Sequence, residues 1–150
     1  MASLLIEQLS TKSAVDDAIR STEDRVLVLR FGRASDSVCL LHDDIMARCE
    51  RELFKMARVC IVEAEKMPIY CQYFDITIIP ATIFFFNGQH MKVDYGTPDH
   101  TKFIGSFQTK QDFIDLVEVI YRGAKHGKSI VSCPIERSHI PHYHLIYKDI

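Results

Sequence analysis

Tryptophan is missing from the chain of 150 residues, and its five cysteines are odd in number and irregularly spaced. An odd, irregular set excludes a disulfide scaffold and suits a reducing compartment. Apolar runs are no longer than a strand, which leaves no transmembrane helix to predict. Met1 to Leu9 has neither a basic start nor a long apolar run, so no secretory signal is expected there. Positive charge is not in excess either. The formal net charge is −2, and Arg20, Arg25, Arg30 and Arg33 are dispersed, which disfavours direct nucleic-acid binding. Internal repeats, low-complexity linkers, a Gly-rich phosphate loop, a nucleophile elbow and an aromatic RNA-binding signature are all lacking.

What remains is an ordinary globular composition, 47% hydrophobic and 25% charged, at the size of one domain. The most informative stretch runs from Phe74 to Gly88. Ala81 to Phe86 is an almost unbroken apolar run bounded by Pro80 and by Asn87-Gly88. Its β-branched and aromatic residues predict a strand buried on both faces. Asn-Gly accepts positive φ, so Gln89 to Asp94 is predicted to return as the second strand of a hairpin.

Along the rest of the chain, Leu4 to Ile6 is a strand candidate, and Ser10 or Thr11 caps a helix to about Arg20. Arg25 to Phe31 reads as a buried strand, Gly32 to Asp36 as a turn, and a long helix follows to about Met56. That helix is expected to bury Leu40, Leu41, Ile45, Leu53 and Met56. Val59 to Val62 is a further strand, and Pro68 opens a short helix ending near Phe74. Tyr95 to Gln108 reads as a loop. Thr109 with Asp112 begins a helix that buries Phe113, Leu116, Val117 and Ile120, and Gly123 or Gly127 ends it. Alternating elements of this kind predict an α/β fold with a mostly parallel sheet covered on both faces. Residues 1–127 are expected to form this domain. Residues 128–150 are expected to be a partly docked C-terminal extension, being too apolar for disorder throughout.

The order helix, Phe-Asp-Ile, Ile79-Pro80, strand, Asn-Gly, strand resembles the thioredoxin fold, a central mixed sheet flanked by helices. Phe84 to Gly96, Leu29 to Gly32 and Val119 to Gly123 resemble, more narrowly, the DIM family of thioredoxin-like proteins of pre-mRNA splicing. The resemblance implies a cis bond at Pro80, a nuclear role in splicing and a link to cell-cycle progression. It also implies partners. These are a scaffold protein of the spliceosomal tri-snRNP, such as its tetratricopeptide-type bridging protein, and a second copy of the chain in a homodimer.

Against the thioredoxin pattern, Cys-x-x-Cys falls on Asp36-Ser37-Val38-Cys39, so the attacking position is a carboxylate. Arg30 replaces the buried acid, and Ser35 replaces the tryptophan before the first cysteine. Ala81 stands where some relatives carry a second cysteine after the cis-proline. The expected function is therefore non-catalytic protein interaction, with no cofactor. The alternative is a residual monothiol oxidoreductase using Cys39, against which stands the usual role of free cysteine as a small buried hydrophobe. A partner is expected at Asp36, Val38, Ile79 and Pro80, or else along the hairpin edge at Gln89 to Asp94. His139, His142 and His144, with Cys133 upstream, match no common zinc spacing, and no metal is expected.

Overall fold

A computed structural model describes residues 6–142. Strand β1 (Glu7–Leu9) precedes helix α1 (Lys12–Ser21), which Thr11 caps by accepting the Ala14 N–H at 3.0 Å. Strand β2 (Val26–Gly32) is buried at every residue, as an apolar run covered on both faces should be. Helices α2 (Ser37–Arg48) and α3 (Glu50–Leu53) follow, then strand β3 (Ala57–Glu63) and helix α4 (Pro68–Tyr73), which starts on proline. Strands β4 (Ala81–Phe86) and β5 (Gln89–Asp94) form the hairpin, with Asn87 and Gly88 both at positive φ. Strand β6 (Phe103–Ile104), helix α5 (Lys110–Lys125) and strand β7 (Ile130–Ser132) complete the fold.

The sheet order is β1-β3-β2-β4-β5-β7. β1, β3 and β2 run parallel, β4 is antiparallel to β2, and β5 is antiparallel to β4. β6 takes the first residues of β4, beside the stretch that β5 occupies. One core lies between the sheet and α2 with α5, built from residues such as Val28, Met46, Phe84, Phe113 and Ile120. The second lies against α1 and α4, around Leu29, Phe31, Ile83 and Phe74. No helix among the described residues is long and apolar enough to cross a membrane.

The last strand alters one expectation. β7 pairs parallel with β5, Val93 opposite Val131, so the hairpin edge is covered by the chain's own backbone from Lys92 to Asp94. A partner strand cannot be added at Lys92 to Asp94, which narrows that alternative docking edge to Gln89 to Met91. The connection to β7 requires close packing. A Cβ on Gly123 would lie 2.4 Å from the Val131 side chain, so this glycine sits inside α5 as a contact point, not at its end. The helix stops instead at Gly127, whose positive φ permits the paired bonds Lys128 N–H to Gly123 O (2.9 Å) and Gly127 N–H to Ala124 O (3.0 Å). Beyond it, Val131, Ile135 and Ile140 are buried in the first core.

Four further expectations bear comparison with the structure. The first described strand is Glu7–Leu9, whose register against β3 seats Leu9 in the core and Glu7 against Arg58; of the expected strand Leu4 to Ile6, Ile6 precedes it and Leu4 and Leu5 lie outside the described residues. The long helix breaks at Cys49, where ψ near zero ends α2. The loop from Tyr95 to Gln108 contains β6. Most consequential for function, Leu40 and Leu41 are not core residues at all: they are 45% and 56% exposed.

Candidate functional site

Phe31 at the end of β2 pairs with Ala81 at the start of β4. This register brings the turn into α2 and the Ile79-Pro80 bond to the same end of the sheet. The bond is cis, Pro80 is buried and Ile79 half-buried. The Pro80 carbonyl accepts the Gly105 N–H at 2.8 Å, which ties the cis loop to the residue after β6. Asp36 caps α2, its Oδ2 accepting the Cys39 N–H at 2.9 Å. That backbone hydrogen bond holds the Asp36 carboxyl below its ordinary range. The carboxylate therefore ends the helix and carries charge at its N-terminus, where the dipole favours it.

Cys39 is fully buried, with its Sγ accepting the Arg33 N–H at 3.5 Å. Burial pushes its thiol up to about 11, so the thiolate needed for attack is scarce near neutral pH. Gly32 is needed beside it, because a Cβ there would stand 2.7 Å from Sγ and 2.6 Å from Arg30 Nη1. Cys49, Cys60, Cys71 and Cys133 are also free thiols, each raised by burial.

Beneath Cys39 lies a polar layer that sequence reasoning did not anticipate. Arg30 holds Asp43 with two parallel bonds, Nε to Oδ1 at 2.8 Å and Nη2 to Oδ2 at 2.5 Å, and both side chains are almost wholly buried. Arg30 Nη1 also donates to the Val62 carbonyl at 3.3 Å. Next to it, His42 Nδ1 accepts the Phe107 N–H at 3.4 Å, so Nε2 carries the proton and donates to Thr82 Oγ1 at 2.8 Å. Burial, assisted by the Arg30 charge, lowers the His42 pKa to about 3 and keeps the ring neutral. An acid at the Arg30 position could accept a proton during thiol exchange; a guanidinium cannot.

The polar layer has an outward consequence. By burying His42 and Asp43, α2 turns Val38, Leu40 and Leu41 to solvent, at 44%, 45% and 56% exposure. The helix is inverted over its first turns, charged residue in and apolar residues out. The signal was present in the sequence as His42-Asp43 among apolar neighbours, but apolar spacing alone assigned Leu40 and Leu41 to the core. Of the remaining candidates, His139 Nδ1 pairs with Asp112 Oδ2 at 2.8 Å, and His144 lies outside the described residues. No cluster of metal-ligating side chains occurs among the described residues.

This arrangement is a thioredoxin fold. Solved thioredoxins share the fold at low identity: chloroplastic thioredoxin z superposes with a TM-score of 0.63 at 19% identity, covering 79% of this chain and 96% of its own. Mitochondrial thioredoxin 3 from Saccharomyces cerevisiae gives 0.56 at 16% identity, with 70% and 88% covered. A family model described as "Mitosis protein DIM1" matches residues 5–137, and the chain belongs to that family. The chain is 60% identical to thioredoxin-like protein 4B of Mus musculus over 99% of both chains. It is 33% identical to mitosis protein dim1 of Schizosaccharomyces pombe, covering 83% of this chain and 87% of that one. Spliceosomal protein DIB1 of Saccharomyces cerevisiae is 31% identical, with 93% and 97% covered.

Proposed function

We propose that this protein is a non-catalytic interaction module of pre-mRNA splicing, acting in the nucleus, with a linked requirement in cell-cycle progression. The observation that carries the interaction role is the inverted start of α2. An apolar patch held in water by a buried Arg30–Asp43 pair is a feature that partner binding explains and folding alone does not. Splicing and mitosis enter through the relatives, whose names are spliceosomal protein DIB1 and mitosis protein dim1. The docking face comprises Asp36, Val38, Ile79 and Pro80, to which Leu41 is added. Its proposed occupant is a scaffold protein of the spliceosomal tri-snRNP, the tetratricopeptide-type bridging protein, and the same apolar patch offers a surface to a second copy of the chain. Residues 1–127 constitute the proposed thioredoxin-like unit and 128–150 its extension.

The monothiol alternative is disfavoured by the buried Cys39 thiol, raised to about 11, and by Asp36 at the attacking position. Affinity purification of the tagged protein from nuclear extract, with mass spectrometry, tests the proposal. Tri-snRNP scaffold proteins should be recovered with the wild type and lost with Asp36→Lys. Their absence from the wild-type sample would reject the splicing role.

A further inference from the structure

A second surface lies apart from α2. A cleft of about 660 Å³ opens between α4 with the segment after it, the loop between β5 and β6, and Pro141 with His142. Its size is in the range of sites that hold a ligand or a short peptide segment. Phe74, Ile78 and Ile104 line it with apolar surface, and Pro141 forms one wall by packing against Gly105, where a Cβ would lie 2.9 Å from it. Tyr73 stands at the rim 79% exposed, and Ile69, one turn earlier on α4, is 59% exposed. The two continue the apolar lining outward as a strip on one helix face.

The charge of the cleft is one-sided. Lys102 is its one lysine or arginine among the described residues, and it is 7% exposed. Its ammonium donates to the Phe74 carbonyl at 2.9 Å, to Asp99 Oδ2 at 2.7 Å and to Thr101 Oγ1 at 3.5 Å. Three donors meet three acceptors, which leaves no proton for an anionic ligand. His90 points Nε2 at the Thr101 carbonyl at 3.0 Å, and burial lowers its pKa, so it adds no charge. Asp99 is bound to Lys102 and Thr101, whereas Asp75 is exposed and pairs with no cation among the described residues. A cleft with apolar walls and an unpaired carboxylate at its mouth is complementary to a basic side chain beside an aliphatic one.

We propose that this cleft docks an extended segment of a partner protein in which an arginine or lysine is flanked by aliphatic residues. The basic group meets Asp75, and the aliphatic groups lie on Ile78, Ile104 and the Ile69–Tyr73 strip. The inference rests on the reading of the chain as an interaction module, but it concerns a surface other than Asp36 and Val38.

The test uses the full chain, labelled with nitrogen-15, and four degenerate nonapeptide pools whose central residue is arginine, lysine, glutamate or alanine. The arginine and lysine pools should move the amide signals of Asp75, Ile78, Thr101 and Ile104 at concentrations at least tenfold below those the glutamate pool requires. Asp75→Asn tolerates the left-handed backbone that Asp75 adopts (φ +54) and should reduce that preference at least threefold. Asp36→Lys should leave it unchanged. Equal responses to all pools, or signals moving around Val38 and Ile79 instead, would overturn the proposal. So would self-association that Asp75→Asn abolishes without any pool preference, since the cleft would then belong to a second copy. Each of these failures leaves scaffold recovery from nuclear extract standing, so the two ideas fail separately.

Discussion

Arg30 on β2 and Asp43 on α2 form a two-bond ion pair with 1% and 2% of their side chains exposed, beneath the buried Cys39. The pair sets a permanent cation beside a fixed counter-charge. Breaking a buried pair by removing one member costs about 3–5 kcal/mol, whereas replacing both by apolar residues is often neutral or stabilising. Asp43→Ala should therefore lose stability of that order in urea denaturation. Arg30→Met with Asp43→Leu should recover most of it. Equal losses in the single and double variants would show that the pair contributes no more than its packing.

The neutral His42 predicts how stability depends on pH. Its folded pKa of about 3 lies below the value of about 6.5 expected in the unfolded chain. Below that unfolded value the unfolded state binds more protons, so stability is complete above it and falls as pH drops toward 3. Between pH 7 and 5 the expected loss is about 2 kcal/mol. His90, also lowered by burial, adds in the same direction. The lowered carboxyls of Glu7, Asp16, Asp36 and Asp99 act only at more acidic pH. Urea titrations of wild type and His42→Gln at pH 7 and pH 5 check this, and the variant should show the shallower decline.

Cys39 should be inert while the protein is folded. With the thiol buried and raised to about 11, iodoacetamide at pH 7.5 should label it only after unfolding, as read by mass spectrometry. Insulin disulfides should not be reduced above background. Turnover abolished by Cys39→Ser would restore the oxidoreductase alternative.

Gly123 and Val131 predict an inverted substitution effect. In an exposed helix, Gly→Ala gains about 0.5–1 kcal/mol. Here the new methyl would overlap Val131, and overpacking costs about 1–3 kcal/mol. Gly123→Ala should lower the melting temperature, and adding Val131→Ala should recover part of the loss. A rise with the single variant would mean that β7 is displaced at little cost.

The elements that position the site were legible because their signals are local. Pro80, the Ala81 to Phe86 run and Asn87-Gly88 mark the cis loop and hairpin within fifteen residues. Asp36 at the start of α2 likewise has its capping role written beside it. Less legible was everything that depends on a distant partner. Leu40 and Leu41 fit a buried stripe by spacing, and only the pairing of Asp43 with Arg30 on another element reverses the helix face. Covering of the hairpin edge by β7 is equally non-local. A three-residue strand carries almost no periodicity, and its place beside β5 follows from α5 packing through Gly123.

The central claim is that the start of α2 binds a splicing scaffold without redox chemistry. Titration calorimetry of the purified tetratricopeptide-type bridging protein of the tri-snRNP against wild type, Cys39→Ser and Leu41→Asp tests it most directly. Because Leu41 is 56% exposed, Leu41→Asp should leave the circular-dichroism spectrum native. Wild type and Cys39→Ser should bind alike, and Leu41→Asp should weaken binding at least tenfold. Equal binding by all three would place the interface elsewhere, and loss of binding with Cys39→Ser alone would contradict the account.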